Sequence, residues 1–344
     1  AMRYLKNYKA HWIFNNGNAI LSKNTTIYKY NFEENSFAKI KKFKYNSSTL
    51  QFINRGIIER LLRGGIHHVL FIKGSYIVFF NSKIITISSL KLKSIYNIRT
   101  CKNPLNLCYN PLNNTIYWGD YIATNKALPI NIYCSKDNGK NWDIVYTFSS
   151  GTIRHIHNII YDIFQDHYWI LTGDKDQESG IWKTKDFTKV EPVLLGKQSY
   201  RTVSIIPQKY GLIIPTDTEL MKNYIQYYSY LDNKLYSLKE LPSSAIDARR
   251  INNISFVSTM YEPSKINKIK KTKLYCIFDN KKWYIFLSLN KDILPSKYFQ
   301  YSMIGIPHYN KKYSKNLYYF NTRGVKGGNG VLIYSKDEIV KTIQ

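Results

Sequence analysis

Short runs of β-branched and aromatic residues, each closed by a turn residue, recur along this chain at intervals of about fifty positions. Hairpin anchors fall at Tyr30, Ser88, Ser135, Thr184, Ser229, Ser288 and Ser335, separated by 58, 47, 49, 45, 59 and 47 residues. That interval is the length of a four-stranded antiparallel unit, roughly 40–50 residues. The strand-like runs at 69–72, 76–80, 84–87, 159–161, 168–172 and 224–230 are bounded by Gly, Asn, Asp or Lys, the punctuation expected of strands. Helical periodicity is scarce, and 55–62 is its best instance. The expected fold is all-β: a single β-propeller over residues 1–344, with seven blades favoured over six plus a divergent terminus, and with hairpins on its outer face.

Composition narrows the class further. A chain of 344 residues that is 44% hydrophobic and 15% aromatic is not intrinsically disordered. No apolar run approaches the roughly 20 residues of a membrane span. Residues 1–2 read as a cloning scar and no signal-peptide core follows them, so the expected address is the cytoplasm. Cys101, Cys108, Cys134 and Cys276 show no paired spacing and read as free thiols. The formal charge of +27 comes from 50 basic and 23 acidic residues, which predicts an anionic partner. No helix-turn-helix, zinc finger or RNP-type motif accompanies it, so an acidic glycan is expected rather than nucleic acid.

Propeller geometry then sorts residues by face. First strands start and second strands end on one face beside the central channel; the hairpin between third and fourth strands lies on the other. Arg63, Arg154 and Arg201 precede their anchors by 25, 30 and 28 residues, near the starts of first strands. In a chain with 40 Lys and 10 Arg, three arginines in equivalent places point to the planar fork that grips a carboxylate through two hydrogen bonds. Salt bridges between blades are the alternative. Acids gather at the ends of second strands: Asp120, Asp174 with Glu178, Asp217, and Tyr261-Glu262 ahead of a basic insertion at 263–273. Gly-Asp corners also cap turns, which is the competing role for Asp120 and Asp217. His155 and His157 alternate to one side of a strand, where with Asp162 or Asp174 they could ligate a metal. His-x-His alone is a weak signal, and no metal or cofactor is assigned.

The clearest motif is Ser135-Lys136-Asp137-Asn138-Gly139-Lys140-Asn141-Trp142, which fits S-x-D-x-G-x-x-W. Degenerate copies stand at 181–186 and 332–337. In such a hairpin Ser and Asp cap turn amides, Gly takes a positive φ and Trp packs beneath. This pattern is the Asp-box. With Gly119-Asp120-Tyr121, Arg154-His155-Ile156-His157, Asp162, the segment 169–182, Gln198-Ser199-Tyr200-Arg201 and Thr216-Asp217, residues 104–220 resemble bacterial BNR-repeat proteins of the sialidase-like superfamily. The chain departs from sialidases in lacking their F/Y-R-I-P motif.

The resemblance and the charge imply a glycan-active enzyme, first a glycoside hydrolase on an anionic sugar such as a ulosonic acid or uronate. Arg63, Arg154 and Arg201 would bind the substrate carboxylate, with Glu178 and Asp217 alongside. Asp174 or Asp120 would act as acid/base, and Tyr121 or Tyr261, the latter with Glu262, as nucleophile. A polysaccharide lyase using His155 or His157 as base beside Arg154 is the second reading, and a non-catalytic binder of acidic glycan the third.

Overall fold

The computed structural model describes residues 3–45, 57–122, 126–278, 282–299, 301–310 and 313–343; residues 1–2 and 55–56 lie outside these. Antiparallel four-stranded meanders follow one another along the chain. One runs Lys9–Ile13, Ala19–Lys23, Thr26–Asn31, Ser36–Lys42, and the next His68–Ile72, Ser75–Phe80, Lys83–Ser88, Lys91–Asn97. The same order repeats for Cys108–Asn110 to Asp143–Phe148, His155–Asp162 to Glu191–Leu195, and Ile206–Gln208 to Leu235–Leu241. An eight-stranded sheet holds the strands from Ala245–Ile251 to Trp283–Asn290 together with Ser302–Gly305, Leu317–Arg323 and Gly330–Ser335, whereas His308–Tyr309 adds to the first sheet in parallel with Lys9–Ile13. The N-terminal strand Arg3–Lys6 completes the eight-stranded sheet by pairing with Gly330–Ser335, so the two chain ends are stitched together.

Burial falls from the inside outward. Second strands such as Gly211–Pro215 and Ile254–Tyr261 are buried at every position, which is why they read as continuous apolar runs: both faces are covered by neighbouring sheets. Fourth strands are the exposed edges, and Lys39, Lys41, Lys42, Lys91 and Lys93 stand on them. Lysine on an open edge discourages pairing with another chain, so part of the charge excess has a structural use. Successive inner strands are tied by side chains: Asn106 donates to the His157 carbonyl at 3.0 Å, Asn158 to Val203 at 3.0 Å and Ser204 to Ala248 at 2.8 Å.

The Asp-box forms the hairpin between Ile130–Ser135 and Asp143–Phe148. Asp137 Oδ1 accepts the Lys140 and Asn141 amides at 3.0 and 2.9 Å, and Ser135 Oγ accepts the Gly139 amide at 2.8 Å. Gly139 has φ +82, and Trp142 packs edge-on against Trp118 and Phe79. Asp137→Ala should therefore cost about 1–2 kcal/mol in urea denaturation.

Two anchors differ from expectation. Ser288 lies in the fourth strand Trp283–Asn290; the third strand of that unit is Lys271–Phe278, and of the basic insertion 263–273 its last three residues belong to that strand. The copy at 332–337 is not a hairpin: Ser335 and Glu338 exchange hydrogen bonds of 2.9 and 3.2 Å and open the helix Lys336–Ile343, a reciprocal cap that the same Ser-x-x-acid spacing supports.

Candidate functional site

The end of one second strand and the start of its neighbouring first strand bring a dense set of charges together. His155 pairs with Gly173 across the ladder, and the register shifts between Ile156 and Asn158, leaving His157 as the extra residue. A bulge of this kind re-aims a side chain. Here both imidazoles turn the same way, with their Nε2 atoms 3.1 Å apart. Asp174, the residue after the strand, sets Oδ1 at 3.4 Å from His155 Nε2, 3.5 Å from His157 Nε2 and 3.1 Å from Arg201 Nη2. Gly173 keeps this convergence open, since a Cβ there would stand 3.2 Å from both His157 and Arg201.

Around the core of the cluster the ion pairs loosen. Arg154 reaches Asp174 at 3.8 Å and Glu178 at 3.7 Å, and Arg201 reaches Asp217 at 3.6 Å. Burial works against an ionised Asp174, yet His155, His157 and Arg201 hold its carboxyl far below the ordinary carboxylate range. Asp174 is thus held in its negatively charged form. Arg201 is partly buried, but the carboxylates of Asp217 and Asp174 keep it charged. Arg201 Nε and Asp217 Oδ1 are buried with no hydrogen-bond partner, which favours a ligand that supplies one.

Glu262 behaves differently. Burial first, then the neighbouring charge of Asp217, pushes its carboxyl up to about 7, against a hydrogen bond from Tyr301. The Tyr301 phenol is in turn pushed up to about 12 by burial and by Glu262, while Arg63 acts in the opposite sense. Tyr121 packs its ring 4.4 Å from that of His155 and is pushed up to about 12 by burial and by Asp174. Arg63, Tyr121 and Tyr301 also line a cavity of about 930 Å³ among the inner strands.

Three placements differ from the sequence reading. Asp120 is fully buried, with the Thr100 hydroxyl on one oxygen and the Asn131 amide at 2.9 Å on the other. It caps the corner beside Tyr121, the competing role the sequence offered, and burial raises its carboxyl above the ordinary range. Tyr261 is buried in its strand, opposite Ser302; the tyrosine that meets Glu262 is Tyr301. Asp162 sits at the far end of the histidine strand, where it accepts from Trp169 Nε1 at 3.0 Å and from the Phe164 amide at 2.9 Å.

Sequence reasoning missed Tyr301 and a second group deeper in the cavity. There Lys9 donates to the His67 carbonyl at 2.6 Å, His11 meets Ser22 at 2.8 Å and Arg249 meets His308 at 3.3 Å. Burial and the charge of Arg323 lower Lys9 to about 7, and burial and Lys9 lower His68 to about 3. Tyr301 precedes a first strand, the position that had singled out the arginines, but a tyrosine there carries no compositional signal among 31 tyrosines. The alternation of Lys9 and His11 was the available clue to the deeper group.

No known protein family and no curated protein matches the chain. Solved structures do resemble it. A chain of a mitotic checkpoint complex is 7% identical with a TM-score of 0.57, over 97% of this chain and 90% of that one. An oligogalacturonate lyase in complex with manganese is 8% identical with a TM-score of 0.61, over 97% and 90%. A Kuenenia stuttgartiensis hydrazine synthase chain is 13% identical with a TM-score of 0.50, over 78% and 76%. With the sheets described above, these likenesses define the class: an all-β protein of β-propeller type.

Proposed function

We propose that this protein is a glycan-active enzyme, a glycoside hydrolase that takes an anionic sugar at the channel mouth of a seven-bladed propeller. The blade count is supported by the eight-stranded sheet, whose two halves of four strands meet at the two-residue ladder Met260–Met303 and Tyr261–Ser302 and at the isolated bridge Lys291–Val325, and which so divides into two further four-stranded units. The Asp-box hairpin supports kinship with the sialidase-like superfamily.

One arrangement carries the enzymatic reading: the Glu262 carboxyl, pushed up to about 7 by burial and the charge of Asp217, is hydrogen-bonded by the Tyr301 phenol in a basin where Arg201 and Arg63 act on the same pair. Glycoside hydrolysis needs one group to give or take a proton and another to attack or to activate water. Glu262, part ionised near neutrality, takes the Tyr301 phenol proton as Tyr301 attacks the anomeric carbon. The glycosidic C–O bond breaks, and the leaving oxygen takes that proton from Glu262 directly or through water. A water then cleaves the tyrosyl–glycosyl bond and restores the phenol. Arg201 and Arg154, with Arg63 across the cavity, hold the sugar carboxylate. The unpartnered Asp217 Oδ1 and Arg201 Nε are available to substrate hydroxyls.

A non-catalytic binder would leave no acid unpaired near the arginines. Asp174, Glu178 and Asp217 are paired, but among the described residues Glu262 makes no ion pair. The lyase reading draws on the His155–His157 pair beside Arg154 and on the likeness to an oligogalacturonate lyase. Elimination needs a base for the C5 proton and a cation on the carboxylate.

Mass spectrometry of products from a panel of acidic oligosaccharides separates these readings. Hydrolysis adds one water across the products; elimination adds none and creates an unsaturated sugar that absorbs in the near ultraviolet. Saturable binding without turnover across the panel would leave the binder. Arg154→Lys should weaken binding about tenfold and leave the melting temperature nearly unchanged, because its two ion pairs are long and partly exposed. A large loss of stability instead would make Arg154 structural.

A further inference from the structure

We propose that His155, His157 and Asp174 form a binding site for a divalent transition-metal ion with nitrogen and oxygen ligands. The inference goes beyond the hydrolase reading and does not depend on it.

The argument begins with the imidazole tautomers. His157 Nδ1 lies 2.9 Å from the Thr202 carbonyl oxygen, and His155 Nδ1 lies 3.3 Å from that of Ile122. A carbonyl can only accept, so each Nδ1 carries a hydrogen and each neutral ring presents a bare lone pair at Nε2. Those two lone pairs face each other at 3.1 Å, and a carboxylate oxygen completes the triangle at 3.4 and 3.5 Å. Three acceptors in mutual contact repel unless something positive sits among them. Without an ion that is a proton shared among the Nε2 atoms and the carboxylate, which is how the histidines hold Asp174 low, and a metal ion would take that proton's place.

The size of the triangle suits a metal. Bonds of about 2.0–2.1 Å place neighbouring ligand atoms about 3.0 Å apart in octahedral and about 3.4 Å apart in tetrahedral coordination. The three observed edges fall on these values, and all three atoms lie within 4.8 Å of one another. Backbone carbonyls holding the far nitrogens are the outer support that fixes ligating histidines elsewhere. Both imidazoles are buried, with side-chain exposures of 5% and 3%, so they are held in place before any ion arrives. Arg201 approaches the same Asp174 oxygen at 3.1 Å; that oxygen has a second lone pair, and the guanidinium restrains the carboxylate in its ligating pose. Two imidazoles, one carboxylate and no thiolate favour zinc, manganese, iron or cobalt over calcium or magnesium. With three protein ligands, positions remain open for water or substrate.

The test uses the full chain, stripped with chelator and titrated separately with Co²⁺, Zn²⁺ and Mn²⁺. One equivalent of Zn²⁺ or Co²⁺ should bind, Co²⁺ should develop visible d–d absorption, and the melting temperature should rise with ion concentration. His157→Asn keeps a donor for the Thr202 carbonyl but removes Nε2, and should weaken binding at least tenfold; His155→Asn should do the same if the first variant folds poorly. His68→Asn, in the deeper cavity, should bind as the parent does. The proposal is overturned if a cooperatively melting protein binds none of the three ions at millimolar concentration. It is equally overturned if a folded His155→Asn or His157→Asn variant binds with parental stoichiometry and affinity, since the ion would then sit among the channel histidines.

Discussion

Replacing Glu262 with Gln is expected to lower turnover of an acidic oligosaccharide by roughly 10²- to 10⁴-fold, the contribution of a positioned acid–base group, while making the folded protein more stable at neutral pH. The two effects share one cause. Burial and the charge of Asp217 hold the carboxyl protonated up to about pH 7, against an ordinary value near 4.5. Between those values the unfolded chain has lost its proton and the folded chain has kept it. Stability therefore falls as pH rises through this window and levels off above 7. Gln carries no charge and escapes the loss. The variant should gain on the order of 1–3 kcal/mol above pH 7, with the gain vanishing below about pH 4.5. Urea denaturation of both proteins from pH 4 to 8 reads this directly. A variant less stable than the parent at pH 8 would make Glu262 a structural residue and remove the acid–base assignment.

The face on which this chemistry gathers was legible in the sequence because it follows from register. Once the strand–turn–strand interval is recognised, the ends of second strands must lie near the starts of first strands. Asp174 and Glu262 follow their second strands directly and Asp217 by two residues, and Arg154 precedes its first strand. Roles within the cluster were not legible. Asp120 and Asp174 both follow a glycine that ends a second strand, yet one is spent on Thr100 and Asn131 and the other faces two histidines and an arginine. Their difference lies in which neighbouring loop packs over them, and no local pattern encodes that.

Partner choice failed for a similar reason. Tyr261 adjoins Glu262 in sequence, but successive residues of an extended strand point to opposite sides. The tyrosine that reaches Glu262, Tyr301, stands just before a first strand some forty residues further on. Charge was only half readable: lysines on fourth strands serve the exposed edges, whereas Lys9 and Arg323 enter the cavity, and composition counts both alike. The copy at 332–337 shows the same limit, since a Ser followed three residues later by Glu caps a helix as readily as Ser-x-Asp opens a hairpin.

Asp174→Asn should destabilise the protein by about 2–4 kcal/mol, because removing one member of a partly buried ion cluster leaves the others uncompensated. Arg201 has a side-chain exposure of 13% and would keep only Asp217, at 3.6 Å, while Arg154 would keep Glu178 at 3.7 Å. These residual partners put the expected loss below that of a fully isolated charge. The measurement belongs in buffer containing chelator, so that no bound ion contributes to the parent's stability. Arg201→Leu alone should also destabilise, by stranding Asp174 and Asp217 together. Combined with Asp174→Asn it should cost less than the sum of the two, with a coupling of about 1.5–3 kcal/mol. Additive losses would mean that the 3.1 Å contact contributes no net stability. The arginine would then be held there by the surrounding fold, and its retention at the channel mouth would have to be explained by the ligand it meets.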